Sequence, residues 1–267
     1  MSVLFTRRGD PLLGLPPVGT SLNDMTWDEI SKISKRGLGS LYFNVGDRKE
    51  VPLNGTIGNL SLSGTYYCYI IGIDHNPDIE GGIHFQFGFN ALNDGYNIAF
   101  VDSAYNTTKT SGTWFNMYNA NSNSGGWESS RMRTVICPAF KNTLPSELQT
   151  VLKSVTKYTD NKGGSSTKAS YVTATTDEIF LLSEWELTGS INASNSAEQN
   201  YQKQYEYYSS GNSTSKRLHN STTTTGHWWL RSVSANTDLH FTYVTTTGSV
   251  TSNNAHYSSG FAPAFVI

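Results

Sequence analysis

Short apolar segments separated by polar turns constrain the fold of this chain more than any other feature. The clearest are IHFQFGF at residues 83–89, where apolar and polar residues alternate, and TYYCYIIGI at 65–73. A period of two is typical of a strand with one buried face. Similar runs occur at SLYFNVG, KEVPL, SYVTAT, EIFLLSEWEL, HWWLRSV, LHFTYV and FAPAFVI. The pattern predicts sheets built from strands in both halves of the chain.

Three other segments predict helices. In TWDEISKISKRG, Thr26 and Glu29 form a capping box and Gly37 stops the helix. GGWESSRMRTVICPAF predicts a helix that ends at Pro138. LPSELQTVLKSVTKYT predicts the clearest helix, with an apolar stripe of Leu148, Val151, Leu152 and Val155. Because helices are grouped in the middle with strands before and after, we expect an α+β domain rather than a doubly wound sheet.

Length and composition indicate one main domain. Residues 1–22 contain Gly and Pro without a periodic pattern and are predicted to be an N-terminal arm or attachment segment, while residues 23–267 form the domain. Cys68 and Cys137, the only cysteines, lie in apolar surroundings, which favours two buried thiols over a disulfide. A net charge of −2 offers no basic surface for nucleic acid, and no apolar run is long enough to enter a membrane.

Patterns that would indicate a metal site are incomplete. The six histidines include no pair at zinc-ligand spacing within one element. DHNPDIEGG, at residues 74–82, has the alternating oxygen ligands of a calcium loop, but Ile79 and Phe85 stand where an EF-hand needs Gly and Glu. The sequence therefore predicts no metal and no cofactor, although a looser cation site near Asp74 stays open.

Candidate catalytic residues are few. Glu184 and Glu186 in LLSEWEL, predicted to share one strand face, could bring two carboxylates together for glycosidase chemistry, but strand-edge carboxylates beside a Trp are far commoner. Nucleophile elbows, P-loops and dinucleotide-binding motifs do not occur. Arg231 is expected to pair with a core carboxylate. We therefore expect a protein that is not an enzyme.

The C-terminal residues carry a family resemblance. WWLRSV at 228–233 and GFAPAF at 260–265 resemble the closing motifs of a bacterial and phage domain family whose members typically end in Trp-Leu-Arg-Ser-Pro and Gly-Val-Arg-Pro-Ala-Phe. WESSRMRTVICPAF and TTDEIFLLSEWE resemble two further blocks, so the likeness extends from about residue 26 to the end. Val233 stands where the family often has Pro, and Ala262 stands where it often has Arg.

The resemblance implies a C-type-lectin-like fold, as in formylglycine-generating enzymes and in the variable proteins of diversity-generating retroelements, with a C-terminal strand that closes the core. It also implies a phage or prophage tail protein, synthesised in the host cytoplasm, that binds a bacterial cell-surface receptor, either protein or glycan. The N-terminal arm would contact other tail proteins, and a homo-oligomer would multiply weak contacts through avidity. Formylglycine-generating enzymes need a late cysteine pair, and no cysteine follows Cys137.

Residues 234–259, which we call the polar segment, resemble the diversified region of such variable proteins. Eighteen of its 26 residues are Ser, Thr, Asn, Tyr or His, and Asp238 is its only charge. Lys, Glu, Gln, Met and Trp do not occur in it, and these are the residues that adenine-specific mutation of AAY codons cannot produce. Tyr gives rigid contact area, and Ser and Asn give adaptable hydrogen bonds.

The ligand contacts expected in the polar segment follow from strand alternation and turn composition. They are Ser234, Asn236, Thr237, Asp238, His240, Thr242, Tyr243, Thr245, Thr246, Asn253, Asn254, His256, Tyr257 and Ser258. Leu239 and Phe241 are expected to point inward, and His240 and Thr242 outward. Residues 245–247 are expected to form a turn before Gly248, and Asn253 to Ser258 a loop before the last strand.

Two alternatives to receptor binding stay open. In the first, the chain is a structural tail or baseplate component whose polar segment is a subunit interface. In the second, less favoured, it is an enzyme that acts on surface glycans. The polar composition by itself is also compatible with an ordinary strand surface and its turns.

Overall fold

The structure, a computed structural model, describes residues 14–91, 96–209, 217–219 and 226–267. These residues form a mixed α and β fold with mainly antiparallel sheets, as the predicted α+β class requires. The helices are α1 (Trp27–Lys35), α2 (Gly39–Tyr42), α3 (Gly126–Ser129), α4 (Cys137–Lys141), α5 (Ser146–Gln149), α6 (Glu184–Thr188) and α7 (Glu206–Ser209). Additional 3₁₀ turns span Leu22–Asp24, Ala169–Tyr171 and Ser196–Asn200, and a π-helical turn spans Met132–Ile136.

The strands are β1 (Arg48–Ile57), β2 (Leu60–Ile73), β3 (Ile83–Ala91), β4 (Tyr96–Ala99), β5 (Val155–Asp160), β6 (Val172–Asp177), β7 (Ile179–Phe180), β8 (Arg217–His219), β9 (Trp228–Val233), β10 (His240–Val244), β11 (Val250–Asn254) and β12 (Ala264–Val266). The large sheet has the order β1–β2–β3–β12–β7, with antiparallel neighbours, and β4 extends it from β3 to a parallel pairing with β8. The small sheet has the order β11–β10–β9, and β5 pairs with β6.

The closing strand β12 lies in the middle of the large sheet, between β3 and β7. Phe265 stacks on Phe85 with 5.1 Å between ring centroids, and Trp27 of α1 contacts both rings edge-on. All three side chains are buried, so they join the first long helix to the end of the chain. The prediction that a C-terminal strand closes the core is confirmed.

The start of the domain also folds as predicted. The Thr26 side chain accepts a hydrogen bond from the Glu29 backbone, and the Glu29 carboxylate accepts one from the Thr26 N–H, which completes the capping box of α1. Of the predicted arm, residues 1–13 lie outside the described residues. Within residues 14–22, Leu22 is buried and Leu15 packs against the core. Cys68 and Cys137 are buried and free, as expected.

Two strand predictions are wrong. SLYFNVG begins inside the helical turn α2, whose first residue, Gly39, packs so closely on β2 that a Cβ there would lie 2.7 Å from Ile73 Cγ2. LLSEWEL contains α6, where Ser183 and Glu186 form a second capping box. The Ser-x-x-Glu spacing in the sequence is typical of such a capping box and could have predicted this helix.

Two helix predictions are wrong in part, one in the length of the helix and one in the residue at which it ends. The helix predicted from Pro145 is only the turn α5, and Val155 begins β5, which pairs with β6 and has an alternating burial pattern. GGWESSRMRTVICPAF is largely helical as predicted, but Pro138 does not end the helix, because it follows the π-helical turn Met132–Ile136 and lies in the first turn of α4. Among the described residues, no helix is long and apolar enough to cross a membrane.

The two departures from the family motif are accommodated inside the core. Val233 is buried at the end of β9, and Ala262 has no exposed surface before β12. The side chain of Gln86 donates a hydrogen bond of 3.1 Å to the Ala262 carbonyl. A polar anchor to this part of the backbone therefore comes from β3, without the Arg of the family.

Candidate functional site

The polar segment forms a hairpin on the small sheet together with the turns around it. His240, Thr242 and Val244 of β10 lie opposite Asn254, Ser252 and Val250 of β11. β9 is buried along its whole length, whereas every residue of β11 is half-buried or exposed. Exposure therefore increases from β9 across β10 to β11, and the outer hairpin faces the surrounding solvent.

The predicted contact residues differ in exposure. Three are exposed: Asn236, Asp238 and Thr246. Eight are half-buried: Thr237, His240, Tyr243, Thr245, Asn253, Asn254, His256 and Tyr257. Three are buried: Ser234, Thr242 and Ser258. The last three cannot contact a ligand unless the hairpin rearranges, so their expected role as contacts is not supported by this geometry.

The inward and outward assignments within β10 are partly wrong. Phe241 is buried as expected, but Thr242 is buried too and donates a hydrogen bond to the Ser232 carbonyl. Thr242 lies at an irregularity in the β9–β10 pairing, where the step from Phe241 to Tyr243 faces the longer step from Val233 to Trp229 in β9. Leu239, expected to point inward, is 38% exposed because it precedes the strand.

The turn and loop predictions around the hairpin have different outcomes. Residues 245–247 do form a turn, in which the Gly248 N–H donates to the Thr245 carbonyl and Gly248 has a φ of +84°. Asn253 and Asn254, expected in a loop, belong to β11. Only the residues from Ala255 onward form the connection to β12.

A second chain segment completes the surface. Residues 102–116, which we call the companion loop, pair with the end of the polar segment: the Asn106 N–H donates to the Ser258 carbonyl, and the Lys109 N–H donates to the His256 carbonyl, each at 2.7 Å. Asn106, Thr107 and Thr108 are exposed. The sequence gave no signal for this pairing, because the partners lie about 150 residues apart.

Asp102 fixes the companion loop to the polar segment from beneath. It is buried, and its carboxylate accepts hydrogen bonds from the Ala104 N–H and the Phe115 N–H, each at 2.8 Å. The Ser258 hydroxyl donates to the same carboxylate at 3.1 Å. Ser258 is therefore a support for the surface.

Asn123 fixes the other end of the polar segment. Its buried side-chain amide donates to the carbonyls of Thr237 at 2.9 Å and His240 at 3.0 Å, and its backbone N–H donates to the Asp238 carbonyl at 2.8 Å. Its side-chain oxygen accepts a hydrogen bond from Gly164. One amide thus shapes the turn that presents Asn236 and Asp238, through contacts with backbone atoms only.

Half-buried polar side chains join β10 to β11. His240 Nε2 lies 3.0 Å from the Asn254 side-chain oxygen, and His240 Nδ1 lies 3.2 Å from the Ser252 hydroxyl. The Asn121 amide donates to the same Asn254 oxygen at 2.9 Å. Because that oxygen can only accept, the His240 proton belongs on Nε2 and Nδ1 accepts from Ser252.

An aromatic group lies where β10 meets the companion loop. The Tyr243 ring packs edge-on against His227, with 5.0 Å between centroids, and against buried Trp229 at 6.0 Å. The Tyr105 hydroxyl accepts a hydrogen bond from the His227 N–H. Burial raises the pKa of Tyr105 and of Tyr243, so both phenols stay neutral at physiological pH. The sequence did not identify Tyr105 or His227 as part of this surface.

The surface carries little charge. Asp238 is the only ionisable carboxylate or amine in the polar segment, and it is exposed. In the companion loop, Lys109 lies over the Trp114 ring, 4.3 Å from its centroid. Recognition there would rest on hydrogen bonds and ring contacts.

The carboxylates considered for catalysis are buried and bonded to other groups of the protein. Glu184 is buried and accepts hydrogen bonds from the backbone N–H groups of residues 192–194 and from the Ser194 hydroxyl. Glu186 is buried and paired with Arg231 and Lys157. Burial alone would raise the pKa of Glu186, but those two cations hold it well below its usual value. The expected pairing of Arg231 with a core carboxylate is confirmed.

The remaining candidate sites lie elsewhere. Among the described residues, no group of three or more His, Cys, Asp and Glu could hold a metal ion. In the loop at residues 74–82, the Glu80 carboxylate pairs with Lys157, and the Asn76 amide donates to the Tyr201 carbonyl. An open groove of about 360 Å³ is lined by Arg133, Cys137, Pro138, Lys141, Thr176, Asp177, Glu178 and Ile179. None of those lining residues belongs to the polar segment or the companion loop.

Comparison with known proteins adds one finding. Residues 104–267 match a family described as a domain of unknown function, DUF6273. The matched range contains the whole polar segment and nearly all of the companion loop, whereas α1 and β1 to β4 precede it. No curated protein and no solved structure matches the chain.

Proposed function

We propose that this chain, which belongs to the DUF6273 family of domains of unknown function, is a ligand-binding protein without enzymatic activity. Its contact surface would combine the exposed and half-buried residues of the polar segment with Asn106, Thr107 and Thr108 of the companion loop. The ligand would be a receptor on a bacterial cell surface. Specificity would come from many short polar contacts around the Tyr243 ring.

One observation carries this proposal: the outward side chains are short and polar, while the residues that hold them are buried and bind backbone atoms. Asn123 shapes one end of the polar segment in this way, whereas Asp102 holds the companion loop by its backbone and the other end of the polar segment through the buried Ser258 hydroxyl. A site with fixed support and variable contacts is what ligand recognition requires. Such a surface can change its side chains without losing its shape.

The finer parts of the proposal rest on sequence motifs. WWLRSV and GFAPAF support a C-type-lectin-like fold, and the codon restriction of the polar segment supports diversification by a retroelement. Both features support a phage or prophage tail protein, assembled from a chain made in the host cytoplasm. Other tail proteins would bind the N-terminal arm, and the binding domain would work as a homo-oligomer.

Whole-cell binding tests the receptor role. Purified protein is incubated with a panel of bacteria, and cell-bound protein is measured for the wild type and for Tyr243→Ala and Tyr257→Ala. We expect loss of binding in both variants. Tyr67→Ala is the matched control, because Tyr67 is a half-buried tyrosine of β2 outside the surface. Binding that survives both surface changes, or that falls equally in the control, contradicts the proposal.

The same variants separate the two alternatives. If the polar segment is a subunit interface, Tyr257→Ala will lower the oligomer mass in light scattering and leave no cell binding to lose. If the chain is a glycan-active enzyme, release of sugar from the cells will survive Tyr257→Ala and stop in Glu184→Gln. Sequencing isolates for adenine-templated changes in the codons of residues 234–259 tests diversification, which invariance there would exclude.

A further inference from the structure

A tyrosine-rich segment covers a polar face of the large sheet, remote in sequence from the polar segment. We call residues 201–209 the tyrosine strap. Its ring contacts are Tyr201 on Tyr158 at 4.4 Å, Tyr205 on His75 at 3.9 Å and Tyr207 on Tyr69 at 4.9 Å. The Tyr208 hydroxyl donates to the Gln86 side chain. Beneath the strap, His84 and Gln86 of β3 are buried although both are polar.

The strap lies directly against the backbone of β2 at Gly72. A Cβ at that position would lie 2.5 Å from the Glu206 carboxylate and 3.1 Å from Tyr205 Cδ1. The strap therefore rests on the sheet with no room for a side chain between them. Its position depends on this close fit and on the hydrogen bonds of its tyrosines.

The hydrogen bonds under the strap form a chain with a fixed direction. His84 Nε2 lies 3.0 Å from the Gly81 carbonyl, which can only accept, so Nε2 carries the proton and Nδ1 is an acceptor. The Tyr205 hydroxyl, 3.0 Å from Nδ1, must then donate to it. The same hydroxyl accepts a hydrogen bond of 3.1 Å from Lys157. This chain of hydrogen bonds runs from Lys157 through Tyr205 to His84.

A proton on His84 Nδ1 would break this chain. Nδ1 would become a donor facing the Tyr205 hydroxyl, which already receives one hydrogen bond and would lose the acceptor for its own proton. The new charge would also lie beside the Lys157 ammonium in a buried site. Burial, and then Lys157, lower the pKa of His84 well below its ordinary value.

The charged and titratable groups around His84 leave it without a free counter-ion. They are Glu80 and His75 from the loop at residues 74–82, Lys157 from β5, Glu186 from α6, and Tyr205 and Glu206 from the strap. The Glu80 carboxylate is 3.8 Å from Nδ1 but is bonded to Lys157. Glu186 is bonded to Arg231 and Lys157. Both carboxylates are thus committed to other cations.

We propose that the tyrosine strap is an acid-released cover, which leaves the polar face of β2 and β3 when His84 takes up a proton. The cover is closed when His84 is neutral. Because the folded state favours neutral His84, this contribution to closure is complete above pH 6.5 and is lost as the pH falls below it. Local opening of this kind needs less free energy than unfolding the domain.

Hydrogen exchange measured by mass spectrometry tests the proposal on the intact chain. The reporting amides are those of Tyr205, Tyr208 and Ser209, which donate to the Glu186 or Tyr205 carbonyls. After correction for the intrinsic exchange rate, we expect their opening constant to be at least about tenfold larger at pH 5.0 than at pH 7.5. Amides of the β1–β2 ladder should keep one opening constant at both values. Equal opening of the strap at both pH values, or joint opening of strap and ladder, overturns the proposal.

Two variants test whether His84 is the group that takes up the proton. His84→Gln stays neutral and should lose the acid response, whereas Tyr205→Phe should open more at pH 7.5 and respond less to acid. His75→Asn is the matched control, because His75 is also a buried histidine under the strap, stacked on Tyr205 and 3.5 Å from Glu206, but it does not bond to the Tyr205 hydroxyl. An acid response that persists in His84→Gln, or is undiminished in Tyr205→Phe, overturns the proposal. So does a response that disappears in His75→Asn.

Discussion

The two polar networks of this protein are built in opposite ways. Beneath the polar segment, Asn123 binds backbone carbonyls, and Asp102 binds backbone N–H groups of the companion loop and one side chain of the polar segment, the Ser258 hydroxyl. Around Arg231, charged side chains bind other charged side chains, chiefly Glu186 and Lys157. Apart from the Ser258 hydroxyl, the first network does not depend on which side chains the held loops carry. The second depends on each of its members.

This difference separates the part of the molecule that can vary from the part that cannot. A support that binds backbone keeps its geometry when an outward Thr or Asn is replaced. A buried ion network fails when one partner is removed, because the remaining charges have no water to stabilise them. Variation should therefore be tolerated at the outward residues of the hairpin β10–β11 and excluded around Arg231.

The largest effect is expected from Glu186→Gln. Removing this charge leaves Arg231 and Lys157 buried with too little negative charge, and the expected loss is about 3 to 5 kcal/mol in the free energy of unfolding. Denaturant titration measures it. The matched control is Glu178→Gln, whose carboxylate pairs with Lys141 at a partly exposed position and should contribute less than about 1 kcal/mol. Equal losses of unfolding free energy in the two variants would contradict the special role given to the buried ion network.

The second prediction concerns how the free energy of unfolding depends on pH, with and without the change Glu198→Gln. Glu198 is fully buried and receives hydrogen bonds from the Asp160 N–H and the Ser232 hydroxyl, and burial raises its pKa to about 7. The unfolded chain loses this proton near pH 4.5 and the folded chain near pH 7, so stability falls as the pH rises between those values. We expect Glu198→Gln to remove up to about 3 kcal/mol of this decline.

Unfolding at a series of pH values from 4.5 to 8 measures the Glu198 effect. The wild type and Glu198→Gln should differ in slope within this window and run parallel above it. Parallel curves throughout would mean that the buried carboxylate is stabilised as well when charged as when neutral. That result would mean that Glu198 does not behave like the buried charges around Arg231 but like the supports beneath the polar segment.

A smaller loss is expected from Asn123→Ala. The change leaves the Thr237 and His240 carbonyls without their amide donor, which costs about 2 kcal/mol. Ligand binding should fall as well, because the turn loses its shape. Asn236→Ala is the matched control: it lies in the same turn, is exposed, and should change stability by less than about 0.5 kcal/mol. Thermal unfolding of both variants shows whether Asn123 supports the turn, as proposed, or contributes no more to stability than the exposed Asn236.

The smallest effect on stability is expected on the outer hairpin. Thr246→Tyr, Thr247→Asp and Ser249→His change exposed residues, and each should shift the free energy of unfolding by less than about 0.5 kcal/mol. Thr242→Tyr is the contrasting change, because Thr242 is buried and bonded to Ser232. Losses above 1 kcal/mol in all three surface variants would show that the hairpin is no freer to vary than the core.

Local patterns in the sequence predicted the elements whose signals are local. Thr26 and Glu29 identified α1, alternation identified β3, and the closing apolar residues identified β12. β5 was missed because Val151 and Val155 also fit a helical stripe, and only pairing with β6 decides between the two. Ser183 with Glu186 carried a cap signal that the strand-like apolar run before it concealed.

The candidate surface could be predicted only in part, for a physical reason. Strand alternation identified β10 and turn composition identified residues 245–247, but β11 was missed, and Thr242 was assigned wrongly because alternation contains no information on the β9–β10 irregularity. The supports Asn123 and Asp102 act across separations of 114 and 156 residues along the chain. Their side chains look like ordinary loop residues until the chain has folded. Hydrogen bonds of this range are a property of the tertiary structure alone.

The central place of β12 has a consequence for how the chain is made. β3 and β7 are synthesised long before β12, and the bonded residues Gln86 and Ala262 are 176 positions apart. Until residues 264–266 leave the ribosome, β3 and β7 each present an unpaired edge to other chains. Pairing at such a distance is slow, since a long loop must close first. Productive folding of the large sheet must therefore await synthesis of β12, and a nascent chain interrupted before residue 264 should aggregate.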